Sequence, residues 1–336
     1  MGAKIALITG GFTEEAEVSI KSAAFVEDKL KPLSYEVYKI FITNYGWYYE
    51  DEKGLKYPID LRDFHLDLPN GSIFFDLAFI MVHGSPGEDG RLQGYFDMVG
   101  LPYTSCDTLT SAVTMNKAYT KLLLAGIDEL YMANSVHLHE NDRSEAFRLV
   151  QEKLVPPYFV KPNAGGSSIG MTKVVDLNGL QPAIDLAFDT ANTGKQVIVE
   201  DFVSGREFSV GIYRKNGIIH ILPPTEILTE NEFFDYDAKY NGMSEEITPA
   251  DLTEEQIERI NYLVNEIYVR LNCKGIVRVD FFLEKDTDRF YFIEINTIPG
   301  QTPQSFIPQQ VRAYGMTETD FYAELIEEAL LNKCND

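Results

Sequence analysis

Two C-terminal segments constrain this fold most: Ile276-Val277-Arg278-Val279-Asp280-Phe281-Phe282-Leu283 and Phe290-Tyr291-Phe292-Ile293-Glu294-Ile295-Asn296. Both read as strands, and the polar run Glu284-Lys285-Asp286-Thr287-Asp288-Arg289 between them suits a hairpin turn. Successive side chains of a strand alternate faces, so Arg278 and Asp280 share one face, and Glu294 and Asn296 share one face. Pairing would gather two carboxylates, an amide oxygen and a guanidinium on one side of an otherwise apolar sheet. Hard oxygen ligands without Cys or His suit Mg²⁺ or Mn²⁺ carrying phosphates. A solvated hairpin face holding ordinary ion pairs has the same pattern, because exposed charges are common on antiparallel strands.

At 336 residues the chain exceeds one typical domain, so two or three are expected. An apolar content of 45% supports real cores. The chain has no long apolar run for a membrane span and no basic start leading into a signal-type stretch. Cys106, Cys273 and Cys334 are widely spaced without metal-type spacing, which points to a reducing cytoplasm. A formal net charge of −23 argues against nucleic acid and anionic membranes as partners. Any nucleotide site must therefore build its positive potential locally.

The segment Lys4-Ile5-Ala6-Leu7-Ile8-Thr9 reads as a buried strand running into Gly10-Gly11 and an acidic helix start at Glu14, Glu15 and Glu17. Strand, glycine turn and helix form the first unit of a doubly wound sheet. Asp76 to Val82 reads as another buried strand, ending at His83-Gly84, while the tyrosine-rich stretch from Asn44 to Asn70 reads as an irregular surface excursion. Further on come helical sequence from Lys117 to Leu124, strands at Tyr158–Lys161, Val197–Phe202 and Glu207–Tyr213, and a helix from Thr253. That helix carries a capping box, Thr253 with Gln256, and apolar residues at helical period from Ile257 to Leu271. The fold class expected is α/β: a Rossmann-like domain over 1–108, then two α+β lobes over 109–198 and 199–336.

The loop Gly165-Gly166-Ser167-Ser168-Ile169-Gly170 follows the strand-end Lys161. Small residues let backbone N–H groups approach a polyphosphate, with serine hydroxyls as added donors. It is not a Walker loop, and a flexible hairpin turn is the plain alternative. Lys117 is a second candidate cation. Glu200, Asp201 and Val203, followed by Glu207, lie on a strand that could pair its backbone with an adenine edge, or could simply lead into an exposed turn.

These residues, taken in order, resemble the D-alanine–D-alanine ligase family of the ATP-grasp superfamily. The resemblance runs through Gly10-Gly11 with Glu15, His83-Gly84, Gly87-Glu88-Asp89-Gly90, Asn116-Lys117, Val160-Lys161-Pro162 and Gly166-Ser167-Ser168-Ile169-Gly170. It continues through Ala238-Lys239-Tyr240 and Arg278-Val279-Asp280 to Glu294-Ile295-Asn296-Thr297 and Pro299-Gly300. It covers essentially the whole chain.

The resemblance implies an N-terminal pre-ATP-grasp domain, two ATP-grasp lobes with ATP between them, and D-alanine between those lobes and the N-terminal domain. Asp280, Glu294 and Asn296 would hold two Mg²⁺ or Mn²⁺ ions. Lys117, Lys161, Lys239 and Ser167 would meet ATP phosphates; Glu200, Asp201, Val203 and Glu207 would lie along adenine and ribose. Glu15 would bind the ammonium of the first D-alanine and join Ser167 and Tyr240 in a hydrogen-bonded link that closes a loop over the site. Arg278 and the Gly300 N–H would stabilise an oxyanion, Ser305 would bind the carboxylate of the second D-alanine, and His83 would assist beside it. The resemblance also implies a cytoplasmic homodimer.

Tyr240 stands where relatives that make D-alanyl-D-lactate carry histidine, which favours an amine acceptor. Asp201 stands where many members carry lysine, and Ala16 and Gln301 replace a common arginine and methionine. Phe306 stands where leucine or methionine is usual and would reshape the second-substrate pocket, so a D-serine acceptor is the alternative.

Overall fold

The computed structural model describes residues 2–166, 169–190, 195–229 and 244–332. Three sheets follow one another along the chain. The first has seven strands, with Lys4–Gly10 parallel to both Glu36–Thr43 and Leu77–Ile80. Such a strand is buried on both faces, and Ile5, Ala6, Leu7 and Ile8 are fully buried as a result. The helix Ala16–Leu30 covers it, giving the strand–turn–helix unit expected from Gly10-Gly11.

The stretch from Asn44 to Asn70 corrects its reading as an irregular excursion. It forms Gly46–Glu50, Lys56–Asp60 and His65–Leu68, which, with Gly71–Ile73, extend the first sheet as an antiparallel meander. Its inward residues are aromatic: Trp47 packs edge-on to Tyr95, with ring centroids 5.3 Å apart, and Phe64 edge-on to Phe96 at 5.0 Å. Half-buried tyrosines that pack partly against this core made it look like surface.

The second sheet has four strands and contains Tyr158–Pro162 paired antiparallel to Gln196–Asp201. The third has six strands, with Val277–Glu284 held between Gly205–Lys215 and Phe290–Asn296. The helix Glu254–Arg270 backs this sheet, and both halves of the Thr253–Gln256 capping box are formed. Its Ile260, Val264 and Ile267 are fully buried, as the helical period predicts.

The last described helix, Glu318–Asn332, crosses back. It packs on Ala16–Leu30 and on Leu77–Ile80, and its Phe321, Tyr322 and Ile326 join the N-terminal core. Tyr322 also donates its hydroxyl proton to Gln301 Oε1 at 2.9 Å, tying this core to the loop before the helix Phe306–Ala313. Among the described residues no helix is long and apolar enough to cross a membrane.

Candidate active site

The hairpin register sets the site. Asp280 pairs with Glu294 and Arg278 with Asn296, with a bulge after Asp280, so all four side chains come together as alternation predicts. The Arg278 guanidinium grips Asp280 with both arms, Nε to Oδ1 at 2.9 Å and Nη2 to Oδ2 at 2.8 Å. Ser209, on the neighbouring strand, donates to Asp280 Oδ1 at 2.6 Å, and Asn296 Nδ2 donates to Oδ2 at 3.1 Å. Burial opposes the charge on Arg278, but Asp280, Glu294 and Glu88 outweigh it and push its pKa above the ordinary arginine value. Glu294 is paired with Lys117, Nζ to Oε2 at 3.2 Å. Two carboxylates and an amide beside it form an all-oxygen donor set that fits a hard divalent cation.

Lys117 begins the helix Lys117–Leu124 and also donates to the Gly165 carbonyl at 2.9 Å, anchoring the glycine loop. Lys161 lies across the second sheet from Glu200, Nζ to Oε2 at 2.5 Å. The other oxygen of Glu200 is taken by Lys121, at 2.5 Å. Burial would push the Glu200 pKa up, yet Lys161 and Lys121 hold it down at about 2. Burial works against charge on Lys161 as well, and Glu200 more than offsets it, so its pKa is raised. The Glu200 carboxylate is thus spent on two lysines rather than open toward a purine.

Asp201, the next residue on that strand, necessarily faces the other way and accepts from Asn134 Nδ2 at 2.8 Å. Neither it nor Val203 borders the small cavity of about 100 Å³ lined by Lys161, Glu207, Asp280, Phe282 and Glu294. Glu207 does.

A second cavity, about 350 Å³, runs from Lys117 and Glu294 past Gly166 to Glu15. A third, about 610 Å³, joins Glu15 and Glu294 to His83, Arg278, Gly300, Ser305 and Phe306. Glu15 precedes the helix Ala16–Leu30 and reaches between two glycines. A Cβ on Gly84 would lie 2.7 Å from its Oε2, and one on Gly166 would lie 3.1 Å from its Oε1. Phe306 places its ring under the Arg278 guanidinium, 5.4 Å from centroid to Cζ.

His83 does more inside the protein than toward the cavity. Its Nδ1 lies 2.8 Å from the Ile298 carbonyl oxygen, so Nδ1 carries the proton and donates. Its Nε2 is 3.0 Å from the Ser22 hydroxyl, which in turn accepts the Gln301 N–H at 3.2 Å. Burial pushes the His83 pKa down, keeping the ring neutral.

Two participants escaped the sequence reading. Glu88 accepts the Gly84 N–H at 2.8 Å and the Ile298 N–H at 3.2 Å. Burial, and then the Glu15 charge, raise its pKa to about 8 against those two donors and Arg278. Lys121 is the other, and its only signal was its place one helical turn after Lys117. Ser167, Lys239 and Tyr240 lie outside the described residues.

Charged and small side chains on or beside all three sheets thus converge on three cavities that share Gly166 and Glu294 in their lining. The family described as D-ala D-ala ligase N-terminus matches residues 4–106, and D-ala D-ala ligase C-terminus matches residues 125–327. A D-alanine–D-alanine ligase of Parabacteroides distasonis is 42% identical over 333 residues, covering 99% of each chain. One from Porphyromonas gingivalis is 41% identical over 97% of each chain. Among solved structures, D-alanyl-alanine synthetase A from Vibrio cholerae superposes with a TM-score of 0.86 at 29% identity, covering 98% of this chain and 99% of that one. The VanG D-Ala:D-Ser ligase from Enterococcus faecalis superposes with a TM-score of 0.87 at 31% identity, over 98% of this chain and 100% of that one. This chain belongs to the D-alanine–D-alanine ligase family, with the α/β architecture of the ATP-grasp enzymes.

Proposed function

We propose that the protein joins two D-alanines into D-alanyl-D-alanine for peptidoglycan precursor synthesis, at the expense of one ATP. The carrying observation is the cross-strand set Arg278, Asp280, Glu294 and Asn296, facing Lys117 and opening into the cavity that reaches Glu15. An oxygen of the first D-alanine carboxylate attacks the γ-phosphorus of ATP, the bond to ADP breaks, and D-alanyl phosphate results. The amine of the second D-alanine then attacks the acyl carbon, loses its proton and expels phosphate. The first step needs positioning and charge neutralisation above all.

Asp280, Glu294 and Asn296 would hold two Mg²⁺ or Mn²⁺ ions, which supply neutralisation of the phosphate oxygens. Lys117 and Lys161 take phosphates, with Lys239 and Ser167 of the undescribed segments joining them. Glu207, which borders the small cavity beside Lys161, takes the ribose. Glu200 keeps its carboxylate on Lys161 and Lys121, and Asp201 and Val203 lie off that cavity, so a purine at this strand end would meet the backbone there rather than these side chains. Glu15 receives the first ammonium and links to Ser167 and Tyr240 over the closed site. Arg278 and the Gly300 N–H receive the oxyanion, a contribution of ~3 kcal/mol per donor in comparable sites. Ser305 binds the second carboxylate. His83 borders the same cavity as Ser305 and also holds the loop through its bond to the Ile298 carbonyl. The three sheets support three units, with the second boundary moved from 198/199 to beyond Asp201, because the strand Gln196–Asp201 lies wholly in the second sheet. A cytoplasmic homodimer completes the reading.

Phosphate release with ATP and Mg²⁺ and each of D-alanine, D-serine, D-lactate and L-alanine, with product masses, tests it. Release with D-alanine alone and a D-alanyl-D-alanine mass is expected. Release that requires D-serine would instead support the alternative acceptor, since the Phe306 ring borders the cavity that would take it.

A further inference from the structure

We infer that Lys121, which touches no substrate, is a positioning residue that keeps Lys161 available to phosphate by sharing Glu200. The inference rests on the reading of Lys161 as an ATP-phosphate ligand.

Lys121 is 9% exposed, an uncommon setting for a lysine unless something inside needs it. Its Nζ donates to the Ala133 carbonyl at 2.7 Å and meets Glu200 Oε1 at 2.5 Å. Glu200 Oε2 meets Lys161 at the same distance, 2.5 Å. One carboxylate is therefore divided between two ammonium groups, and the triad carries a formal charge of plus one. Without Lys121, Glu200 and Lys161 would form a closed neutral pair, and a polyphosphate would have to break it to reach Lys161. The acidity of the chain as a whole, at −23, sharpens the point, since no broad positive field would compensate. The Ala133 bond alone would make Lys121 a structural staple. The shared carboxylate makes it an electrostatic one.

The test uses the full-length enzyme in steady-state phosphate release, varying ATP and D-alanine separately. Lys121→Met should raise KM for ATP about tenfold while leaving KM for D-alanine within about twofold. Lys121→Gln, which retains a donor for the Ala133 carbonyl but loses the charge, should do the same. In Lys121→Met/Glu200→Gln the neutral amide no longer claims Lys161, so KM for ATP should fall back toward that of the parent enzyme. Such non-additivity is the signature of a shared partner. An unchanged KM for ATP in Lys121→Met and Lys121→Gln overturns the inference, as does a Lys121→Met/Glu200→Gln defect equal to the product of those of Lys121→Met and Glu200→Gln measured separately. If Lys121→Met fails to fold, the Gln variant and its double with Glu200→Gln decide. Should the parent enzyme show no D-alanine-dependent ATP consumption, the functional reading itself fails. Should it turn over normally while the Lys121 pattern is missing, only this inference does.

Discussion

His83 Nδ1 donates to the carbonyl oxygen of Ile298 across 2.8 Å, joining the end of an N-terminal strand to the loop that carries Gly300. Behind it Ser22 receives the Gln301 N–H, and beside it Glu88 receives the Ile298 N–H. Three side chains from the N-terminal third thus hold the backbone of the loop on either side of Gly300. Replacing His83 by Ala should free this loop while leaving the nucleotide side intact. We expect kcat to fall ~10- to 100-fold with KM for ATP little changed, the pattern of a lost transition-state contact. Steady-state kinetics with saturating D-alanine checks it, and an equal rise in KM for ATP would contradict it.

Glu294→Gln removes one carboxylate from the oxygen donor set and the partner of Lys117. Turnover should drop by at least ~1,000-fold, and Mg·ATP should bind more weakly, because neutralising phosphate charge is most of the catalysis in such steps. Calorimetric titration with Mg·ADP separates the binding loss from the rate loss. A near-normal rate is incompatible with the site described.

Glu88 supplies the pH-dependent case. Its pKa is raised to about 8 in the folded protein, from an ordinary 4.5, chiefly by burial and then by Glu15. The folded state therefore holds a proton that the unfolded chain has released, so stability must fall as pH rises through this window. Glu88→Gln cannot titrate. Relative to its own value at pH 4.5, the variant should gain on the parent steadily up to about pH 8. Urea midpoints of both proteins across that range give the answer, and parallel pH curves would refute the assignment.

Gly300 has no room for a side chain, since a Cβ there would lie 2.9 Å from Ser305 Oγ. Ser305 is itself held by the Thr302 N–H at 3.0 Å, so it cannot simply swing aside. Gly300→Ala should therefore displace the loop. We expect KM for the second D-alanine to rise and kcat to fall ~10-fold or more, with folding intact within ~2 kcal/mol. Thermal unfolding alongside kinetics distinguishes this from general destabilisation.

Local chemistry explains which parts of the structure were legible beforehand. The Thr253–Gln256 box and the alternation around Asp280 and Glu294 are short-range patterns, and both appear as expected. The meander after Thr43 was not legible, because its few buried residues, Ile59, Phe64 and Leu66, are spread among half-buried tyrosines and a tryptophan and aspartate-bearing turns. At Glu200–Asp201 the residue types pointed to an acidic strand end, but only the pairing of Ile198 with Lys161 decides which acid faces the lysines. Ser209 reaches Asp280 from a strand 71 positions away, and no spacing announces such a partner. Glu88 sat in a visible motif, yet its raised pKa comes from burial that only the assembled fold provides.

Because Phe321, Tyr322 and Ile326 belong to the same core as the opening strand, the earliest part of the chain waits on some of the latest. On the ribosome the first sheet would leave part of its apolar cover missing until residues near 326 emerge, well after its strands have been made. A chain cut before residue 318 would leave those apolar positions of the N-terminal core without the cover that the last described helix gives them.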